Sequence, residues 1–325
     1  MHTDRRRTIV AILRVLDEAG RPVGSTKIAR GLQASGIDLA QRMVRNYLAA
    51  MDAEGLTVNL GRAGRELTAR GRNELAAAGA IDKVGFIDAR GEELAYQMTF
   101  DLRRRRGTVI LNLSTVPAAQ IDDVRQAMAP VLRAGLGMGR FGTIDGVGTH
   151  VPGLLGPVRD ATIGTMCALT LNGLLATAGV PVVSRFGGLL EMRDGEPFRF
   201  VHIIQYGGTT LDPIEIFIKA RMTRVQDAAR TGNGIIGASF REVPAIALPR
   251  VHKLIREMAE ASVGGMVVVG DPGRPLAEIP VDQGRVGLIV AAGLNPIAAV
   301  QEAGIPTENR AMARLADFET LVPLV

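Results

Sequence analysis

Two blocks of this chain recur in the same order, and that internal repeat constrains its fold more than any other feature. The stretch "GTVILNLSTVPAAQIDDV" from Gly107 aligns with "GIIGASFREVPAIALPRV" from Gly234 at a constant offset of 127. Gly107 meets Gly234, Val116-Pro117-Ala118 meets Val243-Pro244-Ala245, and Val124 meets Val251. Further on, "PVRDATIGTMCALTLNG" from Pro157 aligns with "PVDQGRVGLIVAAGLNP" from Pro280 at an offset of 123, setting Leu171-Asn172 against Leu294-Asn295. Hydrophobic patterning repeats with them. Strands at 108–114, 140–146, 163–169 and 180–192 with helices at 118–134 and 173–178 make one unit. Strands at 234–241, 265–270, 285–291 and 310–317 with helices at 246–261 and 296–303 make the other. Asn172 and Asn295 read as N-caps of their helices, and Pro296 suits a first helical turn. Each unit is β-α-β-β-α-β, a ferredoxin-like order. Residues 193–232 interrupt the repeat with a turn at Arg193-Asp194-Gly195, a strand at 197–206 and an amphipathic segment from Asp212-Pro213. The expected sheets are packed together or continuous.

The first quarter of the chain is a different module. Residues 1–80 hold 13 basic and 8 acidic residues, the whole +5 excess of the chain, whereas residues 81–325 hold 25 of each. Such an excess suits a polyanionic partner. Ile9, Ile12, Leu13 and Leu16 recur at helical spacing up to Gly20 and Pro22. Ser25 reads as the N-cap of a second helix with Ile28, Ala29 and Leu32 inside, and Val44, Leu48 and Met51 line one face of a third. Residues 56–71, "LTVNLGRAGRELTARG", read as two strands joined by a glycine turn. Three helices followed by a basic hairpin is the order of a winged helix-turn-helix. Arg42, Arg45 and Asn46 lie at the N-terminal end of the third helix, opposite its apolar face. A recognition helix reads base edges from that end, arginine pairing with guanine and asparagine with adenine. Arg62 and Arg65 are placed at the hairpin tip, where a wing meets phosphate, with Gly61 and Gly64 permitting the turn. Arg70 and Arg72 fall nearer its base. The expected organisation is a winged helix-turn-helix at 1–75, a linker at 76–84 and an α+β module at 85–325 with repeats 107–192 and 234–317.

Little else carries chemistry. "GMGRFG", Gly137 to Gly142, follows a helix and enters a strand, the reverse of a dinucleotide fingerprint, and reads as a C-cap and loop. His150 and Cys167 form a conceivable base and nucleophile, but a lone thiol on an apolar strand is ordinarily a core residue. The four histidines show no metal-ligand spacing, so no metal or cofactor is expected and an enzyme is disfavoured. A single cysteine fits a reducing, cytoplasmic setting. Residues 161–184 carry no charge, but Asn172, Gly173, Gly179 and Pro181 make them a buried soluble element rather than a membrane span. What the second module offers is glycine-rich strand ends with isolated arginines: "SRFGG" (184–188), "YGGTT" (206–210) and "SFREVP" (239–244). Backbone N–H groups with an arginine suit a small carboxylate or phosphate.

Three stretches, "GTMCALTLNGLLATAGVPVVSRFGGLLEM", "IQYGGTTLDPIEIFI" and "VGLIVAAGLNPIAAVQEAGI", resemble the regulatory domain of the NrpR nitrogen-regulatory repressors. "MVRNYLAAMDAEGLTVNLGRAGRELTARG" is similar to their winged helix-turn-helix. The resemblance covers nearly the whole chain, with one regulatory domain where some members carry two. It implies a sequence-specific repressor of nitrogen-assimilation genes, bound to double-stranded operator DNA as a homo-oligomer of at least two copies and released by 2-oxoglutarate. An inducer with two carboxylates and a ketone calls for cations with amide or hydroxyl donors. On the family motifs Arg185 is the first expectation for a carboxylate, with Thr165, Cys167 and Asn172 beside it, Asn295 as the repeat counterpart of Asn172, and Arg241 as a second cation. An enzyme acting on a small 2-oxo acid with a nucleic-acid-binding N-terminal module, and a structural DNA binder indifferent to ligands, stand as alternatives.

Overall fold

A computed structural model describes residues 2–34, 36–78, 86–149, 151 and 160–325. These residues form two compact units, one within 2–78 and the other within 86–325.

In the first unit, α1 (His2–Ala19), α2 (Ser25–Ala34) and α3 (Gln41–Ala53) precede the hairpin β1 (Thr57–Asn59) and β2 (Arg65–Leu67), and α4 (Ala69–Ala77) follows it. The apolar positions at helical spacing meet in one core: Ile12, Leu13 and Leu16 from α1, Ile28 and Leu32 from α2, Val44, Leu48 and Met51 from α3. The second helix begins at Ser25 itself, with the Gly24 carbonyl accepting from Lys27 and Ile28, so Ser25 is not its N-cap. The hairpin is shorter than its sequence suggests. Thr68 accepts the Gly71 N–H through its hydroxyl and caps α4, which places Arg70 and Arg72 on a helix and not on the wing. Val23 exchanges two backbone hydrogen bonds with Arg65, of 2.9 and 3.0 Å, fastening the hairpin to the segment before α2. Gly64 makes that approach possible: its φ is +108°, and a Cβ there would lie 2.4 Å from the Val23 carbonyl carbon.

The second unit opens with α5 (Phe86–Gln97). Its first repeat runs β3 (Thr108–Val116), α6 (Ile121–Arg133), β4 (Phe141–Asp145), β5 (Ala161–Met166), α7 (Thr170–Thr177) and β6 (Val183–Arg193). The insertion holds β7 (Glu196–Gln205), α8 (Pro213–Lys219) and α9 (Val225–Thr231). The second repeat runs β8 (Gly234–Pro244), α10 (Leu248–Glu260), β9 (Val267–Val269), β10 (Arg285–Ala291), α11 (Asn295–Glu302) and β11 (Glu308–Asp317), with β12 (Val322–Pro323) closing the chain. Asp194 and Gly195, both at positive φ, turn β6 into β7 as the Asp-Gly signal requires.

Two separate five-stranded sheets result, β7-β6-β8-β10-β9 and β11-β3-β5-β4-β12, antiparallel at each pairing. The repeats are not self-contained. The last strand of the first repeat, β6, pairs with β8, and the last strand of the second, β11, pairs with β3. β3 and β8 are repeat equivalents offering the same kind of edge, so the pattern of one strand cannot tell which of them it joins. The exchange interlocks the two halves around two apolar cores, each drawing on both sheets.

The structure also shifts one repeat alignment. α7 and α11 begin at Thr170 and Asn295, each preceded by a leucine at the N-cap (Leu169 and Leu294), a spacing of 125 and not 123. Asn295 therefore corresponds to Thr170, not to Asn172, and neither asparagine is an N-cap.

Candidate functional site

On α3, the 3.6-residue period buries Val44, Leu48 and Met51 and leaves Arg42, Arg45 and Asn46 exposed on the far side. Ala40, at the N-cap of α3, has no side chain able to cap its first N–H groups. Gln41, at its first position, donates to Ser25 Oγ (3.2 Å) and Thr26 Oγ1 (2.7 Å), tying α3 to the start of α2. Arg62 lies in the single 3-10 turn Gly61–Ala63 at the tip of the hairpin and is exposed. Arg65 is not at the tip. It sits on β2 with its side chain 19% exposed, its Nε 2.9 Å from Asp52 Oδ2, while Thr57 donates to the other oxygen of Asp52. That ion pair joins the hairpin to the end of α3, so Arg65 is a structural residue that the glycine-arginine pattern could not separate from Arg62.

The second unit holds a cavity of about 170 Å³. Its walls come in repeat-related pairs: Asn112 of β3 with Ser239 of β8, and Cys167-Ala168 after β5 with Ala292-Gly293 after β10. Gly293 is needed there, because a Cβ would lie 1.9 Å from the Met166 carbonyl oxygen and 2.9 Å from Asn112 Nδ2. The symmetry is broken by α5, which adds Asp88 and Glu92, and by the insertion, which adds Tyr206 and Asp212. The stretches "SRFGG" and "SFREVP" lie within β6 and β8 and not in loops. Alternation along β8 sends Phe240 into one core and turns Ser239 and Arg241 toward the cavity.

Arg241 dominates the electrostatics. It is 2% exposed, its Nε and Nη1 are buried without hydrogen-bond partners, and no ion pair holds it among the described residues. Burial pulls its pKa down. Its repeat equivalent is Ser114, so among the described residues a single guanidinium lines the cavity. A buried, unpaired cation costs several kcal/mol unless something answers it. Tyr206 hydrogen-bonds to Ser239, and burial, reinforced by Asp212, pushes its phenol pKa up. Burial likewise pushes the Cys167 thiol up to about 11, which keeps it neutral and unsuited to nucleophilic attack; His150 lies outside the described residues. Asp212 caps α8 by accepting Ile214 N (2.9 Å) and Glu215 N (3.2 Å), and burial lifts its pKa to about 6. Glu215 accepts the Ala311 N–H of β11 and is lifted to about 7, again by burial. Asn172 donates to Ser184 Oγ at 3.0 Å and has a buried, unpartnered Oδ1. Because the Ser184 hydroxyl either accepts or donates, that amide can turn its oxygen or its nitrogen to the cavity.

The expected effector residues divide accordingly. Cys167, Asn172 and Arg241 line the cavity. Thr165 stands behind it, 3.5 Å from Asn112 Nδ2. Arg185 does not line it. β6 shifts register against β8 between Ser184 and Phe186, and the extra residue is turned to Glu242 (2.7 Å) and the Pro280 carbonyl (3.1 Å). Asn295 is fully buried and structural: it donates to Leu136 O and Gly237 O and accepts from Gly237 N, each at 2.8 Å. Asn112 and Asp212 were not expected at the site, whereas Tyr206 and Ser239 stand in the "YGGTT" and "SFREVP" stretches expected to suit an anion. Asn112 was signalled by one amide in an apolar strand, and Asp212 by the Asp-Pro cap that opens a helix.

Among the described residues no cluster of three or more His, Cys, Asp or Glu is placed to hold a metal ion, and no helix is long and apolar enough to cross a membrane.

Residues 84–322 match the family described as NrpR regulatory domains NRD1 and 2, and residues 10–75 match the ribonuclease R winged-helix domain. The chain is 32% identical over 319 residues to the global nitrogen regulator NrpRI of Methanosarcina mazei, covering 97% of each chain. It is 26% identical to the global nitrogen regulator NrpR of Methanococcus maripaludis and 29% identical to that of Methanocaldococcus jannaschii, covering 96% and 98% of this chain. It spans about half the length of those two relatives, 54% and 55%. The crystal structure of a nitrogen repressor-like protein from Methanococcus jannaschii superposes with a TM-score of 0.61 at 25% identity, over 73% of this chain and 97% of that one.

Proposed function

The chain belongs to the NrpR family, and on that premise we propose that it is a transcriptional repressor of nitrogen-assimilation genes whose grip on operator DNA is released by 2-oxoglutarate. The observation that carries the effector half is Arg241, a buried guanidinium with two unanswered N–H positions in the wall of a small-molecule cavity. A ligand carboxylate takes those donors, and the hydroxyls of Ser239 and Tyr206 with the Asn172 amide serve its carbonyl. The DNA half rests on α3. Arg42, Arg45 and Asn46 read the major groove, and Arg62 meets the backbone beside it. A homodimer is the smallest assembly that sets two recognition helices on two half-sites about one turn apart. The cytoplasm is where both DNA and metabolite are met.

Fluorescence anisotropy of duplexes from the promoters of nitrogen-assimilation genes of the same organism tests this reading, with 2-oxoglutarate against succinate and glutamate as controls. Full-length protein is expected to bind at least one such duplex over scrambled ones, and 2-oxoglutarate to weaken that binding by about 5–150-fold. Binding that ignores 2-oxoglutarate would return the protein to a structural DNA binder, and absence of any sequence preference would remove the repressor.

A further inference from the structure

Charge balance in the cavity points to a second ligand-reading residue. This inference rests on the 2-oxoglutarate reading above and extends it to the ligand's far end. Among the described residues lining the cavity Arg241 is the single cation, and the acids are Asp88, Glu92 and Asp212. A 2-oxo dicarboxylate brings two negative charges. One is answered by Arg241, and no second cation is there for the other.

Asp212 is the carboxyl group in a position to resolve this. Its Oδ1 takes both N–H groups at the start of α8, and Oδ2 has no hydrogen bond among the described residues. The groups around it come from five elements besides its own: Tyr206 beyond β7, Cys167 beyond β5, Arg241 of β8, Asp88 and Glu92 of α5, and Arg310 of β11, whose charge acts on Glu215; its own helix adds Glu215. Burial holds the phenol and the thiol neutral, and Glu215 is acidic. Arg241 is the cation that lines the cavity with Asp212, and the ligand's first carboxylate claims it; Arg310 acts on Glu215 and does not line the cavity. A ligand carboxylate and the Asp212 carboxylate facing each other in the cavity disfavour each other's ionised forms, whereas a carboxyl group donating to a carboxylate forms a short, charge-assisted bond. We propose that Asp212 binds a proton when the ligand enters and donates it through Oδ2 to the ligand's second carboxylate, so that the cavity takes up a 2-oxo dicarboxylate together with one proton from solvent.

Burial has already moved the empty site partway, since the Asp212 carboxyl titrates near 6 before any ligand adds its charge. Above that pH, binding must load the proton, and affinity falls up to tenfold for each pH unit until the bound form itself deprotonates. Metabolite and acidity are thus read by one site.

Isothermal titration of the full-length protein with 2-oxoglutarate at pH 7.5, in MOPS and in Tris, two buffers without phosphate or carboxylate that differ in heat of ionisation, measures the proton from the difference in apparent heat. Uptake of about one proton is expected, with the dissociation constant rising severalfold or more between pH 6.5 and 8. Asp212→Asn keeps the Oδ1 cap and offers an amide donor without titrating. It is expected to bind with no uptake and a flat pH profile, whereas Glu215→Gln keeps both. 2-Oxobutanoate, which lacks the second carboxylate, is expected to bind weakly without uptake. Tight binding of 2-oxoglutarate by the wild type with no uptake and no pH slope overturns the proton and leaves the effector reading intact. Uptake that persists in Asp212→Asn places the proton elsewhere and also overturns it. No binding at any pH removes the effector reading and this inference with it.

Discussion

Replacing Arg241 with methionine sets stability against function in opposite directions. Methionine fills a similar volume with apolar atoms and removes a cation whose Nε and Nη1 have no partners inside the fold. Exchanging buried ionic groups for apolar ones of like size gains about 1–4 kcal/mol, and here there is not even a partner carboxylate to lose. A gain of about 2–4 kcal/mol corresponds to roughly 5–15 °C for a unit of this size. Calorimetry of full-length protein in a chloride buffer, free of phosphate and carboxylates, should therefore show the Arg241→Met variant melting higher than the wild type. In the same variant, stabilisation by 2-oxoglutarate should vanish, which for the wild type at a hundred times the dissociation constant is worth about 2.7 kcal/mol. A variant that melts several degrees lower would refute the reasoning. The guanidinium would then be satisfied within the fold, and the cavity would lose its claim on an anion.

Other outcomes follow from the same geometry. Asn295→Ala strands the Leu136 carbonyl and the Gly237 N–H in the interior, while the Gly237 carbonyl keeps the Ala292 N–H, and should cost about 2–4 kcal/mol by thermal melting, with ligand-induced stabilisation retained. Loss of ligand response without loss of stability would restore Asn295 to the site. Arg62→Ala should leave the melting of the first unit unchanged while lowering the salt slope of DNA binding by about one. Arg65→Ala should instead destabilise that unit by about 1 kcal/mol, since it removes the ion pair of Asp52 and leaves it Thr57 alone. Asp212 and Glu215 titrate near 6 and 7 in the folded chain, above their ordinary values, so the folded state holds extra protons. Their contribution to stability is complete below about pH 4 and is lost as pH rises through those values. Glu215→Gln should match the wild type near pH 4 and exceed it by up to about 3 kcal/mol at pH 8, as chemical denaturation at the two pH values will show.

The sequence by itself determined whatever depends on local periodicity and composition. Helical spacing placed Val44, Leu48 and Met51 inside and Arg42, Arg45 and Asn46 outside, because a face of a helix is a property of neighbours three and four apart. The repeat fixed where strands and helices alternate, and the Asp194-Gly195 pair fixed a hairpin. Tertiary structure decided everything that depends on which segment a side chain meets. It assigned β6 and β11 to each other's sheets, since equivalent edges give equivalent local signals. It separated Arg62 from Arg65 through Asp52, thirteen residues before Arg65 in the chain. It turned Arg185 outward at a register shift and enclosed Arg241 on the adjoining strand, although as sequence both were isolated arginines near the end of an apolar strand. Burial without a partner is a relation among segments far apart in the chain, so only the fold could show which arginine is left with its donors unanswered.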